Sequence, residues 1–210
     1  MENQAAIVSE LISNYGNNVL ADIPFPKAWC KDISSVKAIY LGCDPSNKKN
    51  IRFEFVFALE NNKPLFNNFI KTNEANLREV DLNWENVYVQ NLCQNYFKEE
   101  TSKNIKLWKK IAKEYWIDNL RKELSIFDLK IPVLLSSYSL YEVLLKKGVE
   151  KIKPIEFYCC REKIPVKPEL NLLNRPLIPF FRNRQKRDYH LSNPDWINYK
   201  LLIKEILFRN

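Results

Sequence analysis

The sequence predicts an α/β fold: three α/β/α layers around a central, mainly parallel four-stranded sheet. Three observations carry that expectation. Short apolar runs alternate along the chain with segments of helical periodicity, the order that builds a parallel sheet covered on both faces. The first run, Val36 to Leu41, is apolar and β-branched and stops at Gly42, as a buried strand does when it ends in a sharp turn. A chain of 210 residues, 46% of them hydrophobic, can fill one core, so residues 1–210 read as a single domain.

The elements follow in order. Ile7, Leu11 and Tyr15 at helical spacing place a helix over 3–15, and a loop through Pro24 and Pro26 leads to the strand at 36–42. Pro64 opens a helix running to Val80, and Asn86 to Asn91 is the second strand. The strongest helix covers 104–125, with Ile105, Trp108, Ala112, Tyr115, Trp116, Leu120 and Leu124 on one face. Pro132 to Ser136 is a third strand, followed by a helix from Tyr138 to Lys147 that Gly148 can end. Residues 149–175 are irregular, with Ile155 to Cys160 strand-like. Leu177 to Phe181 is the fourth core strand, and Pro194 to Phe208 the closing helix. No repeat, low-complexity tract or domain boundary interrupts this pattern.

Composition excludes several classes. Five Trp, ten Tyr and twelve Phe argue against disorder. No apolar run approaches the ~20 residues that span a bilayer, and the N-terminus lacks a charged-then-apolar signal, so the expectation is a cytoplasmic protein without a membrane partner. The five cysteines are odd in number and form no C-x-x-C pair, which suits free thiols in a reducing compartment and neither structural zinc nor an iron–sulfur cluster. The adjacent Cys159 and Cys160 read as strand packing. A net charge of +8 permits a polyanionic partner. Lys109-Lys110 and Lys146-Lys147 read as solvated helix faces. Arg182-Asn183-Arg184-Gln185-Lys186-Arg187, between an apolar run and the final helix, is better placed to hold phosphates.

The segment Gly42-Cys43-Asp44-Pro45 is the most informative. Gly42 is one of three glycines in the chain and permits close backbone approach, and Pro45 keeps the chain extended just past the acid. In open α/β sheets ligands bind at the carboxyl ends of strands, where Asp44 falls. Spacing alone favours a turn-forming or capping role for this aspartate, with a site carboxylate as the alternative.

The order of these segments resembles the uracil-DNA glycosylase superfamily. Gly42-Cys43-Asp44-Pro45 is similar to that family's Gly-Gln-Asp-Pro water-activating turn. Phe57 falls, without gaps, where the family has the aromatic that stacks on the flipped base. Pro64-Leu65-Phe66-Asn67-Asn68-Phe69 is similar to its Pro-Ser-Leu-x-Asn helix start. Asn91 matches the asparagine that reads the uracil edge, and Ile131 to Ser137 resembles a later strand of the family. The likeness covers roughly residues 36–181 as a set of short motifs. Several positions depart from the pattern. Glu54 replaces a glycine, and Ser46-Asn47 replaces a Tyr-His pair. The family's strand followed by His-Pro-Ser corresponds to Ile178-Pro179-Phe180-Phe181-Arg182-Asn183, with Phe181 or Arg182 in the histidine's place. The only histidine, His190, sits in His190-Leu191-Ser192, like the His-Phe-Ser before the last helix of some members.

The resemblance implies a monomeric DNA glycosylase that hydrolyses the N-glycosidic bond of uracil or a related base without a metal or other cofactor. Such cleavage builds positive charge on the sugar and negative charge on the leaving base. Asp44 would orient water and stabilise the oxocarbenium-like sugar. Phe57 would stack on the extruded base and Asn91 would select it, alongside Gly42, Cys43 and Pro45 of the turn. Arg182 or His190 would supply the donor to the base anion. Arg184, Lys186 and Arg187, with Arg182, would grip the DNA backbone. Taken singly, Phe57 is also an ordinary core aromatic, Asn91 a turn cap and His190 a packed or surface side chain. The alternative to catalysis is a nucleic-acid-binding member of the same fold without the electrophilic residue.

Overall fold

The computed structural model describes residues 2–20, 25–45, 53–59, 67–153, 156, 161–180 and 196–208. Along the chain lie α1 (Glu2–Tyr15), β1 (Val19–Leu20), β2 (Ala38–Gly42), α2 (Asn67–Arg78), β3 (Val87–Asn91) and β4 (Tyr96–Phe97). They are followed by α3 (Ile105–Ile111), α4 (Ile117–Glu123), β5 (Val133–Leu135), α5 (Tyr138–Leu144), β6 (Leu177–Pro179) and α6 (Ile197–Phe208).

The four apolar runs join in one sheet of order β3-β2-β5-β6, parallel at every pairing, with helices around it in a three-layer α/β/α fold. Every residue of these strands is buried, as expected where both faces of a parallel sheet are covered. The chain leaves β2 for β3 on one side and later returns to β5 on the other. Connections after β2 and β5 therefore diverge, which puts the topological switch point of the sheet between these two strands. Both sheet edges are closed by short antiparallel bridges. Trp29 exchanges both backbone bonds with Val89 at 3.0 and 2.8 Å, and Val166 exchanges both with Leu177 at 2.8 and 3.0 Å. Each bridge uses edge groups that would otherwise invite another strand.

Local details depart from the sequence expectation. The helix expected over 104–125 is interrupted by a π-helical stretch, Ala112–Trp116, and finishes in a 3₁₀ turn at Leu124–Ile126. The interruption accompanies burial of Trp108, Ala112, Trp116, Leu120 and Leu124 together, and Trp116 Nε1 donates to Asn95 Oδ1 at 2.8 Å. The helix beginning at Tyr138 ends at Leu144, ahead of Gly148. Leu145 turns extended (φ −66°, ψ 141°) and bridges Asn171, while Leu172 N donates to Leu144 O at 2.8 Å. Lys109 is not a solvated cation: its Nζ lies 2.8 Å from Glu142 Oε2, with both side chains largely buried. Lys110 and Lys147 are exposed as expected. The two-stranded antiparallel sheet of β1 and β4 had no counterpart in the sequence reading. The strand-like Ile155 to Cys160 falls almost wholly outside the described residues, as do Pro64 to Phe66, Phe181 and the start of the closing helix before Trp196. Among the described residues, no helix is long and apolar enough to cross a membrane.

Candidate active site

The parallel register builds the site from its floor upward. Gly42 and Asn91 are register partners at the ends of β2 and β3, so the Asn91 side chain rises beside the glycine Cα. The ladder continues past both strands: Leu92 N donates to Gly42 O at 2.8 Å and Cys93 N to Cys43 O at 2.9 Å. A Cβ added to Gly42 would lie 2.3 Å from Asn91 Oδ1 and 2.5 Å from Phe57 Cζ. The carboxamide and the ring therefore meet over the one residue type that leaves room for both.

Phe57 reaches this position through three backbone links. Trp29 is bridged to Val89 of β3. Next to it, Lys27 N donates to Glu54 O at 2.8 Å and Lys27 O accepts from Val56 N at 2.9 Å. Phe57 follows directly in a 3₁₀ turn, Val56–Ala58, with φ 58° and ψ 13°, and Ala58 also has positive φ (55°). Two consecutive non-glycine residues in the left-handed region cost about 1–3 kcal/mol each, a strain that persists only where the surroundings enforce it. Here the ring is half-buried and stands edge-on to Tyr40, with centroids 5.6 Å apart at 71°. Tyr40 is itself fixed by its hydroxyl, which donates to Asn73 Oδ1 at 2.7 Å.

Asn91 is 3% exposed. Its backbone N–H donates to Gln90 Oε1 at 2.8 Å, but among the described residues no group hydrogen-bonds its side-chain amide. Most buried amides are paired, so an open one at a strand end is a candidate recognition group.

Asp44 ends the turn, half-buried and followed by the buried Pro45. The Thr101 hydroxyl donates to its Oδ1. Burial pushes the Asp44 carboxyl up to about 7; the Thr101 bond acts downward and the charge of Glu100 upward. A carboxylate poised near neutrality suits a general base better than a turn-forming aspartate. Its neighbour Cys93 is fully buried, and burial, then Asp44 and Cys43, hold its thiol well above the usual range, so it stays neutral. Cys43 links the turn to the start of α5: its Sγ lies 3.0 Å from Ser137 Oγ, the residue that caps α5 by accepting from Leu140 N.

Gly42, Cys43, Asp44, Pro45, Phe57 and Asn91 thus share the carboxyl end of β2 and β3. Arg182, Arg184, Lys186, Arg187 and His190 lie outside the described residues. Thr101, Glu100 and Ser137 are additions that sequence reasoning missed. Glu100-Thr101-Ser102 reads as a polar turn before a helix, and nothing local ties it to a turn 57 residues earlier. No family model, curated protein or solved structure matches this chain.

Proposed function

We propose that the protein is a DNA glycosylase that hydrolyses the N-glycosidic bond of uracil or a related base in DNA. One observation carries this reading: an aromatic ring and a buried carboxamide with no partner among the described residues meet over Gly42, beside a carboxylate that ionises near neutrality. That set matches the requirements of base excision. An extruded base needs a flat surface to stack on and an amide that reads its edge through paired donor and acceptor. The sugar, becoming cationic as the bond breaks, needs a nearby negative charge and an oriented water.

In this reading Phe57 stacks on the base and Asn91 recognises it. Asp44 accepts the proton of the attacking water and balances the charge on the sugar. The bond from C1′ to the base nitrogen breaks with its electron pair leaving on the base, and water oxygen becomes the new substituent at C1′. Arg182 or His190 stabilises the departing base anion, and the 182–187 cations hold the DNA backbone. Free thiols at Cys30, Cys43 and Cys93 fit a reducing, cytoplasmic setting.

The test is base release from single- and double-stranded oligonucleotides carrying one uracil, read by alkaline strand cleavage. Wild type is expected to release uracil and Asp44→Asn to bind the same DNA without release. Binding without release by the wild type would instead assign the fold a nucleic-acid-binding role, visible as affinity that falls steeply with salt.

A further inference from the structure

The Asp44 carboxylate has two oxygens and, among the described residues, one hydrogen-bond partner. Oδ1 accepts from the Thr101 hydroxyl, and Oδ2 is left open. Thr101 arrives on the connection between β4 and α3, and that connection is tied in place. Lys98 N donates to Asn18 O at 2.9 Å, Lys103 N to Glu100 O at 2.9 Å, and Asn104 N to Thr101 O at 3.2 Å. Threonine adds stiffness of its own, because branching at Cβ restricts χ1.

We propose that Thr101 is the positioning residue of this site, fixing the plane of the Asp44 carboxylate through Oδ1 so that Oδ2 is the oxygen presented to water. This rests on the glycosylase reading above and extends it to how the base is aimed and kept charged. A hydroxyl donating to a carboxylate favours the ionised form. It works against burial and against Glu100, which sits beside Thr101 on the same turn. Among the described residues, the Cys93 thiol after β3 also couples to Asp44, and burial holds it neutral. Thr101 is therefore the one group of this set that pulls Asp44 toward its charged, base-competent form.

The test follows the Asp44 carboxyl carbon by NMR across pH, its signal assigned by its loss in Asp44→Asn, together with the pH profile of uracil release. Thr101→Val keeps the side-chain shape and removes the donor. It is expected to raise the Asp44 midpoint, and the acid limb of release with it, by about one pH unit. Thr101→Ser restores the donor and should return both toward wild type. Glu100→Gln removes the repulsion and should move both downward. An unmoved NMR midpoint in Thr101→Val overturns the proposal whether or not the protein releases uracil. If Thr101→Val does not fold, a Thr101→Ser midpoint displaced as far as total loss of the bond would predict overturns it equally. A midpoint that shifts while wild type releases no base upholds the Thr101–Asp44 coupling and removes the glycosylase reading instead.

Discussion

Gln90 and Asn91 are neighbours on one strand, both about 97% buried, yet among the described residues only the Gln90 side chain is paired. Gln90 donates to Glu123 Oε1 at 2.7 Å and accepts from the Asn91 backbone at 2.8 Å. Glu123 also accepts from the Tyr88 hydroxyl and, at 2.7 Å, from Gln94 Nε2, so the side chains of β3 and the turn after it close on one carboxylate of α4. Arg175, 2% exposed, is closed in the same way: its guanidinium donates to the carbonyls of Leu124, Phe127 and Asp128. Around Gly42 the opposite holds: among the described residues an amide is unpaired and a carboxylate half-paired. The contrast is between polar groups closed into networks and polar groups left open, a state that buried Asn76 Oδ1 in α2 and Trp108 Nε1 in α3 share. Closed networks rigidify a structure, whereas an open buried group costs stability unless something binds it.

The largest expected effect lies on the open side. Asp44→Asn should lower uracil release by about 10²- to 10⁴-fold, the range lost with a general base. Wild-type release should rise with pH through about 7 and level off above it, because the base works only when ionised. Stability should show the reverse trend. The folded carboxyl keeps its proton to about 7 while the unfolded one releases it near 3.8, so the neutral form's contribution is full below about 4 and lost as pH rises through 7. Comparing urea denaturation of wild type and Asp44→Asn from pH 4 to 8 isolates this slope. Parallel curves would break the assignment.

On the closed side, Arg175→Met should cost about 3 kcal/mol or more in urea denaturation, because several buried carbonyls lose their donor at once. Residual folded protein should keep its release rate. A rate that falls in step with stability would blur the two regions. Next comes Gly42→Ala, whose Cβ must displace both Asn91 Oδ1 and the Phe57 ring. It should destabilise by about 1–3 kcal/mol and remove most release, a double effect that no purely structural glycine shows. The smallest change in stability is expected at Asn91. Asn91→Leu, replacing an unpaired amide, should shift the unfolding midpoint by less than about 1 kcal/mol, while Gln90→Leu should cost more because it opens the Glu123 network. Equal costs at the two positions would erase the comparison.

The strands were legible because each is a short apolar run buried on both faces, and the structure finds them within a residue or two: Val87–Asn91 for 86–91, Val133–Leu135 for 132–136. The end of α5 was not. Gly148 offered a local stop signal, but pairing of Leu145 with Asn171 drew the chain out of the helix three residues sooner, and tertiary hydrogen bonds outweigh a local cap. The π-helical stretch was hidden for a related reason, since the apolar face of 104–125 is continuous and its shift in phase follows from what it packs on. At the site, Gly42, Asp44, Phe57 and Asn91 stood out as residues. Their meeting did not, because it depends on β2 and β3 lying side by side in one register.

By itself the sequence determined which segments bury themselves, that they alternate as strand and helix, and that the first strand ends in a glycine followed by an acid. Those properties follow from local periodicity and backbone preference, which any stretch of chain carries wherever it lies. Only the tertiary structure decided that the Asn91 amide is left open among the described residues, that Phe57 holds a strained backbone against Tyr40, and that Thr101 lies on Asp44. Each of these depends on the distance between residues far apart in the chain, and a hydrogen bond or an unmet one exists only once the packed sheet has set that distance.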